Sequence, residues 1–182
     1  MSRIAPSPSE IRRHLGTLEA TPGRLKDLTQ GVARHELTRQ PARNAWAAVQ
    51  ILAHLRACSD LWSQSIIAML SEPSPSLAHL DERKWAKAMG YEDLPFQRSL
   101  HAFALDRAEL VLVLKGLDES QWERAASIGG RRHTVFSQCR RMALHEEEHL
   151  LQVAEAIRAG RGLSPGRAGP REVRRRRTSA GA

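Results

Sequence analysis

Apolar residues recur at the spacing of an α-helix along most of the chain. In residues 44–70, Leu55, Trp62 and Met69 are seven residues apart and lie in a wide apolar stripe of about seven helical turns. The stripe ends at the run SEPSPS, because proline lacks a backbone donor and disfavours helical geometry in the residue before it. The same pattern predicts two further long helices, over residues 95–115 and 134–159.

Residues that cap helices bound these segments. Pro95 and Gly116 flank the second long helix, and Thr134 and Gly160 flank the third, after the glycine pair 129–130. Strand signals are nearly absent, because aromatic residues make up 4% of the chain and no segment alternates apolar and polar residues for long.

The N-terminal region predicts two short helices, over residues 8–19 and 21–30, with Thr21 as the cap and Pro22 at the first position of the second. Shorter helical turns are predicted at residues 81–89 and 118–125. Together these segments predict an all-α fold, a four-helix bundle made of three long helices and an N-terminal helical arm.

The net charge of +8 belongs mostly to the C-terminal segment. Residues 160–182 contain seven arginines against one acidic residue, and they include Gly, Pro and Ser but little that could form a core. We therefore predict a bundle domain over residues 1–159 and a disordered, Arg-rich tail over residues 160–182. Nucleic-acid binding is not expected beyond weak, sequence-independent contact through the tail, which lacks aromatic residues and a reading helix.

Two further features bear on the compartment. No segment is long and apolar enough for a membrane span or a secretory signal, so we expect a cytoplasmic protein that does not bind membranes. The two cysteines, Cys58 and Cys139, are too few for a disulfide framework and lie in apolar-periodic segments. We interpret both as reduced core residues.

Three histidines are candidate metal ligands. His145 and His149 are four residues apart on a predicted helix, so both imidazoles leave the same face one turn apart. His54 lies in the middle of an apolar helical segment, where a lone imidazole needs a partner. A neighbouring helix of the bundle brings His54 opposite the pair, which predicts three ligands and an open fourth position, typical of catalytic metal sites.

The same residues fit other kinds of site. His145 to His149 satisfies H-E-x-x-H, with Glu146 as the base of a metalloprotease, but the sequence predicts no sheet around it and lacks the metzincin extension. Glu146 and His149 also form an E-x-x-H half-motif of a di-iron site, for which we find no second copy. Glu147 and Glu148 are interpreted as a solvated helix face.

One cysteine and the other histidines are further candidates for the same site. Cys58 lies one turn after His54 and is interpreted chiefly as a packed core residue. His101 is the single reserve ligand, because its helix gives it access to the core. No role is assigned to four histidines in polar or loop surroundings: His14, His35, His79 and His133.

Two blocks of the sequence resemble the DinB-like superfamily. The first begins at Thr21-Pro22 and places Trp46 eight residues before His54 in "ILAHL". The second, "HTVFSQCRRMALHEEEHLLQV", matches the family's histidine block through the four positions Thr134, His145, His149 and Gln152. The resemblance spans about residues 10–158 and leaves the tail outside.

The resemblance implies a four-helix bundle with a divalent metal, usually zinc or nickel, held by the histidines at positions 54, 145 and 149. Relatives include S-transferases and isomerases that use low-molecular-weight thiols such as bacillithiol or mycothiol, and homodimers are common. The leading hypothesis is a metal-dependent thiol S-transferase or hydrolase that acts on a small-molecule substrate. The alternative is a non-catalytic dimerisation or stress-response module whose Arg-rich tail binds acidic partners.

Overall fold

The computed structural model describes residues 6–162, and these residues are mostly helical. The predicted tail lies outside the described residues from position 163 onward. Seven α-helices are described, namely α1 (Pro8–Thr29), α2 (Arg34–Thr38), α3 (Ala48–Ser71), α4 (Glu82–Ala88), α5 (Phe96–Lys115), α6 (Glu119–Trp122) and α7 (Val135–Gly160), together with one 3₁₀ turn at Tyr91–Asp93. No helix among them is long and apolar enough to cross a membrane.

The four long helices form the predicted bundle, which confirms the fold class. Helix α1 packs against α5 and α7, and α3 packs against the same two helices. Helices α1 and α3, which follow each other in the bundle, are therefore diagonal partners rather than neighbours. Two apolar clusters fill the interior between the helices, one around Trp62 and Met142 and one around Phe103 and Leu150.

The predicted break between two N-terminal helices is wrong. Helix α1 is continuous through Pro22, and Thr21 caps nothing: its hydroxyl donates to the carbonyl oxygen of Thr17, 2.9 Å away. A proline inside a helix removes one backbone hydrogen bond. Here Leu18 and Leu25 are both fully buried, so apolar packing on either side of Pro22 holds the helix together.

The other long helices begin and end near the predicted positions. Thr134 caps α7 as expected, and its hydroxyl accepts from the backbone N–H of Ser137. Helix α3 begins at Ala48, four residues after the predicted start, and Asn44 adopts a positive φ of 66° just before it. Helix α7 extends to Gly160, where a Cβ would lie 2.7 Å from the carbonyl oxygen of Glu36.

Sequence reasoning missed a small three-stranded sheet. Its strands are β1 (Ser76–Leu77), β2 (Ala125–Ile128) and β3 (Arg131–Thr134). Strand β1 pairs in parallel with β2, and β2 pairs antiparallel with β3. Gly129 and Gly130 both have positive φ and form the hairpin turn, as a two-residue turn of this kind requires. The sheet joins the end of α3 to the start of α7.

Candidate metal centre

The bundle brings the three predicted histidines together at the contact between α3 and α7. His54 comes from α3, and His145 and His149 come from consecutive turns of α7. The Nε2 atom of His145 lies 3.1 Å from Nε2 of His54 and 3.0 Å from Nε2 of His149. Nε2 of His145 therefore lies within 3.1 Å of a ring nitrogen of each of the other two histidines.

These nitrogens are suited to bind a cation because the rings stay neutral. Burial and the neighbouring His149 lower the pKa of His54 to about 4. Burial, with His149 and His54 nearby, lowers the pKa of His145 to about 3. Burial also lowers the pKa of His149. At neutral pH each ring thus keeps a lone pair for a metal ion.

The spacing of the nitrogens fits a divalent metal ion. With metal–nitrogen bonds of about 2.0–2.1 Å and tetrahedral angles, two imidazole ligands lie about 3.3 Å apart. The observed separations of 3.0 and 3.1 Å are slightly shorter, so a small outward shift of the rings accommodates the ion. The donor set of three imidazoles suits zinc, nickel, copper and iron.

Gln152 orients His149. Its Oε1 atom lies 2.9 Å from Nδ1 of His149, so Nδ1–H donates to the amide oxygen and Nε2 keeps its lone pair toward the other two rings. His145 differs, because its buried Nδ1 has no hydrogen-bond partner within residues 6–162. Gln152 lies one turn after His149, at a position that the family resemblance had already matched.

Two tryptophans enclose the imidazoles. The ring of Trp46 is stacked on His149, at 12° between the planes, and lies 5.1 Å from the ring of His54. Trp62 meets His145 edge-on at 4.9 Å. The aromatic walls lower the local polarity around the nitrogens, which strengthens their interaction with a cation.

The three histidines line a cleft of about 720 Å³, a volume that suits a small-molecule ligand. Charged and polar side chains form its rim, including Arg83, Glu148 and Gln152. The guanidinium of Arg83 lies over the Trp46 ring, 5.1 Å from its centroid. The cleft therefore joins the nitrogen cluster to a polar entrance that carries both signs of charge.

The other candidate residues differ in their burial. His101 is exposed on α5, which excludes it as the reserve ligand. Glu147 and Glu148 are exposed as expected, although Glu148 also lines the cleft. His14 was placed in polar surroundings, but it is 2% exposed and its ring lies 6.0 Å from that of Phe136. Both cysteines are free and buried, as predicted.

Glu146 does not face the cleft, which removes the metalloprotease base from the site. Its carboxylate is 2% exposed and pairs with the guanidinium of Arg107 on α5, which is 1% exposed. Burial raises the pKa of Glu146 to about 7, and the Arg107 charge opposes that rise. Sequence reasoning missed Arg107, although it stands in the apolar stripe of α5 between Phe103 and Leu110, a position that signals a buried partner.

Comparisons with known proteins agree with this architecture. The profile of the DinB superfamily matches residues 17–153, and the chain belongs to that superfamily. A curated protein of Halalkalibacterium halodurans named "Putative metal-dependent hydrolase" is 26% identical over 152 residues, which cover 81% of this chain and 86% of the relative.

A solved structure shares the fold. YfiT from Bacillus subtilis, described as "a probable metal-dependent hydrolase with an unusual four-helix bundle topology", superposes with a TM-score of 0.79 at 18% identity. The match covers 90% of this chain and 94% of YfiT. At this identity the likeness supports the bundle and its topology.

Proposed function

We propose that the protein is a metal-dependent enzyme in which His54, His145 and His149 hold one divalent cation at the base of the cleft. The single observation that carries the proposal is that Nε2 of His145 lies 3.1 Å from Nε2 of His54 and 3.0 Å from Nε2 of His149, at the cleft that all three residues line. A divalent cation bound there would supply Lewis-acid activation of a water or thiol nucleophile.

The chain's own residues prepare the site in three ways. Gln152 fixes the tautomer of His149, and the Trp46 and Trp62 rings hold the imidazoles in place. Arg83 at the rim offers a positive charge to an anionic group of a substrate. Glu148 lines the same cleft and is exposed, so its carboxylate can accept a proton and pass it to solvent.

The finer activity within this proposal is either hydrolysis or transfer to a small thiol. The name of the Halalkalibacterium relative supports hydrolysis. The volume of the cleft supports the second reaction, because it has room for a low-molecular-weight thiol beside an electrophile. Zinc or nickel as the ion, a homodimer and a cytoplasmic location complete the proposal.

Metal analysis of tag-free protein tests the centre. We expect near-stoichiometric zinc or nickel in the wild type and loss of the ion in His54→Ala, His145→Ala and His149→Ala. His101→Ala is the matched control, because it removes an exposed imidazole of α5 and should leave the metal content unchanged. Wild-type protein that takes up no divalent ion would overturn the proposal and favour the non-catalytic dimerisation module.

Activity assays of the loaded protein then separate the two reactions. Activated esters and alkyl halides are supplied with and without a small thiol. Metal-dependent ester cleavage without thiol indicates a hydrolase, whereas consumption of an electrophile that requires thiol indicates an S-transferase. Loaded protein that performs neither reaction would contradict the enzymatic hypothesis while leaving the metal centre intact.

A further inference from the structure

The Cys58 thiol lies against the histidine cluster. Cys58 follows His54 by one turn of α3, and its Sγ atom is 3.5 Å from Nε2 of His54 and 4.0 Å from Nε2 of His145. The ligand atoms of Cys58, His54 and His145 all lie within 4.8 Å of one another. The sulfur is therefore close enough to two of the imidazole nitrogens to share a metal ion with them.

The thiol reaches the cluster from the core side. Cys58 is 3% exposed and packs in the apolar cluster around Trp62 and Met142, and it is absent from the cleft lining given by residues 6–162. The three histidines do line the cleft. A bound ion would therefore have imidazoles around it, the sulfur behind it and the cleft in front of it.

We propose that Cys58 is a fourth protein ligand of the metal centre, so that the donor set is three imidazoles and one thiolate. This proposal rests on the metal centre proposed above and specifies its chemistry further. On ligation the S–H bond is replaced by a sulfur–metal bond, and the proton leaves to solvent. No change of oxidation state is involved.

Distances and charge both support thiolate ligation. With a zinc–sulfur bond of about 2.3 Å, sulfur and imidazole nitrogen in a tetrahedral site lie about 3.6 Å apart, close to the separation from His54. Three neutral imidazoles leave a full double positive charge in a half-buried site, which is costly. A thiolate halves that charge and favours ions that accept sulfur, such as zinc, over magnesium or calcium.

A thiolate ligand changes what the ion does in the cleft. Its negative charge weakens the Lewis acidity of the ion relative to a site with three histidines alone. Catalytic zinc can expand to five ligands, so the position that faces the cleft stays available to a substrate. The same ion would then be held on the core side by Cys58 and reached from the cleft side.

Cobalt substitution tests the sulfur ligand. The full-length chain is loaded with Co²⁺ as wild type, Cys58→Ser and Cys139→Ser. Cys139→Ser is a close control, because Cys139 is the only other cysteine and is equally buried, on α7. We expect the thiolate-to-cobalt charge-transfer band in wild type and Cys139→Ser and its complete loss in Cys58→Ser, with bound cobalt still stoichiometric.

Every outcome of this experiment is informative. Cobalt bound to wild type without the charge-transfer band, or a band that persists in Cys58→Ser, overturns sulfur ligation and leaves the three-histidine centre standing. Failure of wild type to bind any cobalt or zinc overturns both proposals. If Cys58→Ser does not fold, X-ray absorption of the zinc-loaded wild type decides through the presence or absence of a sulfur neighbour at about 2.3 Å.

Discussion

At the scale of single residues, the hydrogen bond from His149 to Gln152 determines which ring nitrogen of His149 faces the other two histidines. Because Nδ1 of His149 donates to the amide oxygen, the other ring nitrogen carries the lone pair toward His145. Gln152 lies one turn after His149 on α7, so the same helix supplies both the imidazole and the amide oxygen that orients it. A contact between two residues of the same helix turn thus sets the orientation of the His149 ring within the histidine cluster.

Removing this acceptor should weaken metal binding without unfolding the chain. For Gln152→Leu we expect a 10–100-fold rise in the Kd for zinc, because the tautomer and orientation of His149 are then no longer fixed. Gln152→Glu retains an acceptor oxygen and should bind zinc at least as tightly as the wild type. Competition with a chromophoric chelator measures both constants, and equal affinity of the wild type and the Leu variant would contradict the assigned role.

The sequence predicts which three histidines lie together because the patterns that indicate them involve only neighbouring residues. A four-residue spacing on a helix, and an imidazole inside an apolar segment, are both visible without a structure. Burial of His14 is not visible in this way, because neighbouring polar residues in the sequence do not show which face of α1 meets Phe136 of another helix. The closeness of the Cys58 sulfur to two imidazoles likewise depends on the distance between α3 and α7.

At the scale of helices, one ion pair crosses the bundle core. Arg107 on α5 and Glu146 on α7 occupy apolar stripes of diagonal helices, and both side chains are almost fully buried. Nε and Nη1 of Arg107 and Oε2 of Glu146 have no hydrogen-bond partner within residues 6–162. Burying such a pair costs desolvation energy, which opposes the attraction between its two charges.

Replacing only one residue of this pair should lower the free energy of unfolding by more than replacing both residues does. We expect Arg107→Met to lower the free energy of unfolding by about 3–5 kcal/mol, because it leaves the Glu146 carboxylate buried alone. The double variant with Glu146→Leu should recover most of that loss. Urea unfolding of the wild type, both single variants and the double variant gives the coupling energy, and additive losses would contradict a direct pair.

The pH dependence of Arg107→Met follows from the same carboxyl group. A carboxyl whose folded-state pKa is raised favours the protonated form, so it supports the folded state at low pH and loses that support as pH rises through the folded pKa. Without the opposing guanidinium, the pKa of Glu146 should rise above its value of about 7. The deficit of Arg107→Met against wild type should therefore be smaller near pH 5 than near pH 8.

At the scale of the molecule, the small sheet shows what local sequence reasoning omits. Its strands are two to four residues long, and β1 pairs with β2 about fifty residues further along the chain, whereas β2 and β3 form a local hairpin. Such short strands contain too few residues to show an alternation of apolar and polar positions. The sequence therefore indicates only the break at the glycine pair and not the strands on either side of it. Long helices with caps, such as α5 and α7, are predicted well because each turn repeats the same local signal.

The hairpin turn allows a matched pair of substitutions. Gly129 and Gly130 both have positive φ, but a Cβ on Gly129 would lie 2.8 Å from Cβ of His79, whereas a Cβ on Gly130 meets no atom within 4 Å in the described structure. Gly130→Ala should cost about 1 kcal/mol of unfolding free energy for its backbone conformation. Gly129→Ala should lower the free energy of unfolding by more than Gly130→Ala does, because its Cβ would also meet His79. Equal free energies of unfolding for the two variants, measured in urea, would contradict the contact.

The sheet also connects the two helices that carry the three histidines, α3 and α7. It joins the end of α3 to the start of α7, and His54 and His145 lie about 25 Å and 15 Å along their helices from that end. Because the sheet ties the helices together at that end, we expect them to separate at the cleft by rotation about the hairpin rather than by parallel displacement. Over an arm of about 20 Å, a rotation of about 3° moves an imidazole by about 1 Å. Substitutions in the sheet, far from the three histidines, should therefore change the spacing of the imidazole nitrogens.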